Sequence, residues 1–326
     1  MTAPQEWTDA FHRLKFVFGE YCFYSAWFEA VELATHVTRF EGCLDATAAA
    51  VAPLLQRHGA VAIPSHPISA KPIRLKITRD YLRYVPAATI YYFIEPGTSP
   101  TEYLGRMPRK NRHELLRKLR RFTERSGGEI DLRCYRSPAE AKVFYPLACG
   151  VSRKTYQRNL LDVGLPETTE FKAQLRGEAE HGAMRGYLLF FEGTAVAYAY
   201  GAVCGDCLRF RWIGYDPAFG DLSPGIVLLH QALASAIAEA RFALIDFGSG
   251  EAQYKRIFAT GSVRSATVFL FRPTLRHLAT VAAHCACTAT SDGCSVLLGR
   301  FGFKERVKRY FRARSGMRPP RSLSRT

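Results

Sequence analysis

Two rhythms of apolar and polar positions run along the chain, one of helical period and one of strand period. From Trp7 to Phe40 aromatic residues recur at helical spacing, and Ala46 to His58 continues as a short Ala/Leu helix closed by Gly59. Pro64 to Pro72 reads as loop. Ile73 to Thr78 alternates apolar and polar residues and Ala88 to Ile94 is β-branched and aromatic, so both predict strands, ended by Pro96-Gly97. Thr101 to Arg125 predicts one helix with a narrow apolar stripe of Leu115, Leu116, Leu119 and Phe122, stopped by Gly127-Gly128. Beyond it the pattern gives strand 130–135, helix 138–153, a polar loop around 156–164 and helix 167–181. Strands 185–191, 195–203 and 208–215 follow, joined by the short turns Glu192-Gly193 and Gly205-Asp206. Helix 226–240, strand 242–247, helix 251–258 and strand 266–271 complete the series. Phe242 to Phe247 is almost continuously apolar, as a strand covered on both faces should be.

With 326 residues, 48% hydrophobic and 13% aromatic, the chain can build a large core, which excludes global disorder. The net charge of +16 is concentrated in two segments: nine Lys/Arg against two Glu from Arg106 to Arg125, and ten against one from Arg300 to Thr326. The rest is balanced, a distribution that points to local anionic contacts rather than to a nucleic-acid coat. Nine scattered cysteines read as buried thiols of a reducing compartment. Cys204-Gly-Asp-Cys207 has zinc-knuckle spacing without a second pair, so a hairpin tip is expected and no metal. No apolar run reaches the ~18 residues of a membrane span, and nothing at the start resembles a leader, so a cytoplasmic protein is expected. Between 303 and 314, Phe303, Val307, Tyr310 and Phe311 recur at helical spacing among six cations. That pattern suits peripheral contact with an anionic membrane at its inner face; packing on the domain, with a solvated tail, is the plain alternative.

Two stretches carry the candidate chemistry. In the loop from Tyr215 to Gly225, Ser223 suits an N-cap, Pro224 the first helical position and Gly225 a close approach of backbone to ligand, with Ile226 next in the helix. Amides at such a helix start attract phosphate oxygens, although an ordinary capped helix has the same sequence. Asp246 ends a buried strand before Gly248-Ser-Gly250 and Glu251-Ala-Gln-Tyr-Lys255, where ligands of open α/β sheets gather. Acyl transfer to an amine needs a base for the ammonium proton and donors for the oxyanion. Asp246 or Glu251 suits the base, Tyr254 the acid that protonates the thiolate, and a backbone N–H near Gly214 the oxyanion. The plain alternatives are an i,i+4 pair between Glu251 and Lys255, and a capping role for Asp246. A polar cluster from Ser152 to Arg158 fits an acceptor site or a solvated loop. The absence of GxSxG, HExxH, EF-hand and strand-borne GxGxxG motifs removes the commonest hydrolase, zinc-protease, calcium and dinucleotide readings.

Five segments in order carry a family resemblance: Arg109-Lys-Asn-Arg-His-Glu-Leu-Leu-Arg-Lys118, Lys154-Thr-Tyr-Gln157, Tyr215-Asp-Pro217, Leu222-Ser-Pro-Gly225 and Asp246-Phe-Gly-Ser-Gly-Glu-Ala-Gln-Tyr-Lys255. With the element order above, the chain resembles GNAT-superfold acetyltransferases of the cellulose and exopolysaccharide biosynthesis type, relatives of the Fem-type aminoacyltransferases. The resemblance implies an α/β (α+β) fold of tandem GNAT-like halves, a mixed central sheet flanked by helices. It places a reduced half at 1–105, the acyltransferase half at 106–272 with a basic connecting helix at 106–126, and a helical basic extension at 273–326. It implies N-acyl transfer from acyl-CoA, with acetyl-CoA the expected co-substrate, to an amine on a sugar or amino-acid-like acceptor. Catalysis would fall to Asp246, Glu251, Tyr254 and Lys255. Donor binding would fall to Gly214, Tyr215, Ser223, Pro224, Gly225 and Ile226, and acceptor binding to Lys154, Thr155, Tyr156 and Gln157. Two other readings compete: an aminoacyl-tRNA-dependent transferase that lays the 106–125 helix on RNA, and a non-catalytic scaffold of polysaccharide synthesis. The 106–125 segment is too short for an RNA-binding arm, so nucleic acid is not an expected partner.

Overall fold

The computed structural model describes residues 7–18, 21–33, 40, 43–69, 72–155 and 164–300. The chain packs as two units, Met1–Ala88 with Ser265 onward, and Thr89–Arg264. These divisions fall at 88/89 and 264/265, where the sequence suggests 105/106 and 272/273. The reason lies in pairing: the strand at 88–94 is recruited by the second unit, and the C-terminal helix packs in the first. The basic stretch 303–314 lies outside the described residues.

In the first unit the aromatic segment is a hairpin and not the expected helix: β1 (Trp7–Phe18) pairs antiparallel with β2 (Tyr21–Leu33), from Trp7 opposite Leu33 to Phe16 opposite Tyr24. Aromatic residues favour strands, and the buried positions Leu14 and Phe16 follow a period of two that the helical count obscured. Helix α1 (Leu44–Val51) precedes β3 (Ala60–Pro67), which runs through the stretch expected as loop from Pro64. Short strands β4 (Leu75–Ile77) and β5 (Leu82–Tyr84) follow, the second without a sequence expectation. The strand β12 (Gly261–Phe271) pairs with β3 and β5, and helix α8 (Leu275–Arg300) follows it; His284 of that helix bonds the Tyr84 hydroxyl and, at 3.0 Å, the Lys15 carbonyl.

The second unit begins with β6 (Ala88–Ile94) and helix α2 (Pro100–Arg106), which is separate from α3 (Arg109–Arg125) rather than one helix with it. Pro108 holds Met107 extended (ψ 143°) and ends the first piece. Ser99 caps α2 by accepting from the Glu102 amide at 3.1 Å. After β7 (Asp131–Tyr135), helix α4 (Pro138–Lys154) opens with a reciprocal capping box between Ser137 and Glu140. Helix α5 (Thr169–Glu180) then leads to the meander β8 (Met184–Phe191), β9 (Thr194–Cys204) and β10 (Cys207–Tyr215). Cys204 and Cys207 stand opposite each other at a two-residue turn with Gly205 at φ 61°, the expected hairpin tip. Helix α6 (Pro224–Ala238), β11 (Leu244–Ser249) and helix α7 (Gln253–Phe258) complete the unit.

Its sheet order is β6-β11-β10-β9-β8-β7, antiparallel except for the β10–β11 pair. One core joins Leu208, Phe210, Ile245 and Phe247 to Val227, Leu229 and Leu233 of α6. Another joins Tyr198 and Tyr200 to Phe144 of α4 and Phe171 of α5. The two cores cover opposite faces of the meander, which leaves β10 held firmly between helical layers. No helix among the described residues is long and apolar enough to cross a membrane, and no cluster of three metal-ligating side chains occurs among them.

Candidate functional site

The parallel pair β10–β11 is short. Cys207, Leu208 and Arg209 stand opposite Leu244, Ile245 and Asp246, and there the pairing stops, although β10 continues to Tyr215. β9 still binds the other edge of β10 to its end, with Arg211 as an inserted residue between Phe210 and Trp212. β11 is paired on its other edge to β6, from Ile245 opposite Ile94 to Ser249 opposite Tyr91. The two strands therefore part after Arg209 and Asp246, and β10 from Phe210 to Tyr215 presents a backbone edge with no strand on it. An insertion of this kind bends and twists its strand, which gives the opening a local cause.

At the root of the opening lies Asp246, fully buried. Its Oδ2 accepts from Arg209 Nε at 2.7 Å and from the Tyr91 hydroxyl, and its Oδ1 accepts from the Gly248 amide. Three donors and no exposure describe an anchor that ties β6, β10 and β11 together; an incoming amine reaches this carboxylate only by displacing them. The Tyr91 hydroxyl is pushed up strongly, by burial first and then by the neighbouring Asp246 charge. Beyond this root, the Phe210 and Phe247 rings stack at 5.9 Å, and the half-buried Tyr254 meets Phe247 edge-on at 5.7 Å. Burial pushes the Tyr254 hydroxyl up to about 12, which keeps it protonated and able to donate at neutral pH.

The remaining residues expected around β11 have separate partners. Lys255 is buried and donates to the Gly248 and Ser249 carbonyls at 3.2 and 2.7 Å, so it fixes the loop that Asp246 holds from the other side. Burial lowers its pKa, with Asp246 acting in the opposite sense. Glu251 lies before α7 and exposed, and its ion pair is with Arg256, not with Lys255. Of the four residues expected at the reaction centre, Asp246 and Lys255 thus hold one loop between them, while Tyr254 packs on Phe247 and Glu251 is exposed and paired with Arg256.

At the far end of β10 the structure unites two motifs that the sequence assigns to donor and acceptor. Lys154 Nζ, at the end of α4, donates to Asp216 Oδ2 at 2.9 Å, and a methyl group on Gly214 would lie 2.7 Å from Thr155 Cγ2 and 2.6 Å from the Tyr198 ring. Gly214 is therefore required by packing against Thr155 and Tyr198. Burial opposes the Asp216 charge, yet Lys154 and the Ala218 amide hold its carboxyl below the usual range. The Tyr215 ring is exposed and covers Gly225, where an added Cβ would sit 3.2 Å from it. Tyr156 and Gln157 lie outside the described residues.

Helix α6 begins at Pro224, as the sequence suggests, but Ser223 does not cap it with its side chain. Ser223 is left-handed (φ 54°, ψ 46°) and its carbonyl takes the Ile226 and Val227 amides at 3.0 and 3.2 Å. Two of the amides expected to hold phosphate are thereby engaged within the first turn.

A cavity of about 750 Å³ opens beside that turn, inside the second unit, between α3, Ile226 of α6, and Gln253 and Ile257 of α7. This is within the roughly 300–1,000 Å³ of small-molecule sites. Its rim carries Arg109, Lys110 and Arg112, all in the first turn of α3, where there is no acidic residue. Cations at a helix start oppose the helix dipole, at on the order of 0.3–1 kcal/mol each. The sequence marks this segment as a basic connecting helix that carries part of the family resemblance, but its stripe of leucines and its charge give no hint of a cavity. Arg209 and Tyr91 also escape sequence reasoning: Arg209 alternates with Arg211 like any solvent-facing pair, and the pairing of β6 with β11 spans more than 150 residues.

Residues 109–256 match the family model described as an acetyltransferase (GNAT) domain. The second unit has the GNAT fold, with its mixed sheet between helices. Among solved structures, FemX is similar over 82% of this chain and 88% of its own, at 11% identity and a TM-score of 0.50. L-PGS of Bacillus licheniformis is similar over 78% of this chain and 81% of its own, at 13% identity and a TM-score of 0.44. A PaiA N-acetyltransferase of Thermoplasma acidophilum, solved with coenzyme A, is similar over 34% of this chain and 74% of its own, at 13% identity and a TM-score of 0.26. At 11% identity the likeness to FemX speaks to fold alone. No curated protein matches the sequence.

Proposed function

We propose that the protein is an N-acyltransferase that takes its acyl group from coenzyme A and delivers it to an amine on a sugar or amino-acid-like acceptor. The observation that carries this reading is the parting of β10 from β11. The open edge of β10 offers strand-like backbone donors and acceptors to an extended, amide-containing chain, which is the chemistry of the pantetheine arm. In this position the acyl carbonyl meets backbone N–H groups of β10 near Gly214, which stabilise the oxyanion as it forms. Glu251 takes the ammonium proton, the amine nitrogen bonds to the acyl carbon, the carbon–sulfur bond breaks as Tyr254 gives its proton to the thiolate, and the second proton that the nitrogen sheds in becoming an amide restores the Tyr254 hydroxyl. Asp246 and Lys255 hold the loop between them at a fixed place. The resemblance described above argues for a setting in exopolysaccharide or cell-envelope assembly.

One observation favours a second donor: the unpaired cations of α3 suit the end of an aminoacyl-tRNA as well as a coenzyme. A thiol-release assay with acetyl-CoA against amino sugars and amino acids, run beside transfer from aminoacyl-tRNA to the same acceptors, separates the two. Thiol release with any amine supports the first reading. Transfer from RNA alone, with none from acetyl-CoA, rejects it.

A further inference from the structure

Within the first turn of α3, Arg109, Lys110 and Arg112 surround the 750 Å³ cavity, and among the described residues none of them makes an ion pair. The other cations that face a carboxylate on this helix are engaged: Arg117 and Lys118 with Glu114, and Arg121 with Asp221. Arg120 and Arg125, farther along the helix, also make no ion pair among the described residues, but they do not line the cavity. The lining also has an apolar part, with Leu116 of α3, itself 49% exposed, beside Ile226 and Ile257. An exposed leucine in a cavity with two isoleucines offers a flat apolar surface to a ring, and three cations beside it offer sites for phosphate oxygens. Helix α6 follows β10 and helix α7 follows β11, so the cavity is bounded by the helices that continue from the two parted strands.

We propose that this cavity binds the 3′-phosphoadenosine end of the acyl-CoA donor, with the adenine against Leu116, Ile226 and Ile257 and the 3′-phosphate held by Arg109, Lys110 and Arg112. The inference rests on the coenzyme A reading above and adds to it the part of the donor that α3 recognises. It also gives the unfavourable placement of three cations at a helix start a reason, since their charge is compensated when a phosphate is bound.

Calorimetric titration of the full chain with coenzyme A and with 3′-dephospho-coenzyme A at ~50 mM salt tests it without any variant. The expected result is an affinity at least about 10-fold higher for coenzyme A, since charge-assisted bonds to one phosphate are lost in the analogue. The combined Arg109→Gln, Lys110→Gln and Arg112→Gln variant should bring the two affinities together, with its unfolding temperature as a check on the fold. Equal affinities for both compounds in the parent overturn this inference and leave the donor reading intact. So does a preference that survives in the variant. A third titration uses an RNA hairpin of a tRNA acceptor stem. Binding of the hairpin with no binding of coenzyme A overturns both the inference and the donor reading.

Discussion

Replacing Asp246 by Ala removes the acceptor shared by Arg209 Nε, the Tyr91 hydroxyl and the Gly248 amide. A hydrogen bond to a charged group contributes about 1.5–3 kcal/mol and a neutral one about 0.5–1.5 kcal/mol, and donors left buried add their desolvation. Tyr91 is only 3% exposed, so its hydroxyl loses this acceptor without gaining water in its place, whereas the Arg209 side chain, at 36%, recovers part of its solvation. The expected loss is therefore about 3 kcal/mol, near the low end of what breaking a buried pair costs. For a unit of this size that lowers the unfolding temperature by roughly 6–12 °C. Asp246→Asn, which keeps the shape and one acceptor, should lose less than Asp246→Ala. Adding Arg209→Met to Asp246→Ala should cost less than the two single changes together, by at least ~1 kcal/mol, because the orphaned charge is gone. Urea unfolding followed by circular dichroism gives all four numbers. An Asp246→Ala protein within ~0.5 kcal/mol of the parent, or a strictly additive double variant, refutes the anchor at the root of the parted strands.

Glu251→Gln is expected to lower acetyl-transfer turnover by about 10²–10⁴-fold with the acetyl-CoA KM unchanged; an unchanged turnover puts the base elsewhere. Gly214→Ala drives a methyl group to 2.6 Å from the Tyr198 ring, so it should destabilise the protein by about 1–3 kcal/mol in thermal unfolding, and a neutral effect would show that this contact yields easily. His66 is fully buried between Thr47 and the Pro67 carbonyl, and burial, with the Arg83 charge, lowers its pKa from 6.5. Its folded pKa lies below the unfolded one, so the unfolded chain binds more protons between the two values. Its neutral form is fully favourable above pH ~6.5, and stability is lost as pH falls from there towards the folded value. His66→Gln should flatten that part of the stability profile, leaving the share of the half-buried His230 and the buried His284; an unchanged slope between pH 6.5 and 5 would contradict it.

Much of the second unit is legible in its sequence, because its elements are marked by local chemistry. Ser137 with Glu140, the turns at Gly193 and Gly205, and Pro224 at a helix start each fix a boundary independently of the rest of the fold. The hairpin of β1 and β2 is not, since aromatic residues spaced three and four apart also fit a strand whose outer face carries Phe11 and Trp27, 71% and 63% exposed. The same limit governs the site. Gly214, Tyr215 and Gly225 are visible as a glycine-bearing strand end and loop, but their contacts with one another and with Thr155 depend on tertiary packing. Asp246 is visible as a carboxylate ending a buried strand. Its partners Arg209 and Tyr91 are not, because nothing local to either residue records a pairing across the sheet. The cavity at α3 is hidden for the same reason, being formed only when three helices far apart in sequence meet.

Hydrogen–deuterium exchange with and without acetyl-CoA tests the central claim most directly, since it reads the backbone edge of β10 itself. A donor lying along that edge should slow exchange of amides between Phe210 and Tyr215, and around Gly225, while amides of β7 at the opposite end of the sheet stay unchanged. Binding of acetyl-CoA, verified by calorimetry on the same sample, with no slowing anywhere from Phe210 to Tyr215 would contradict the account.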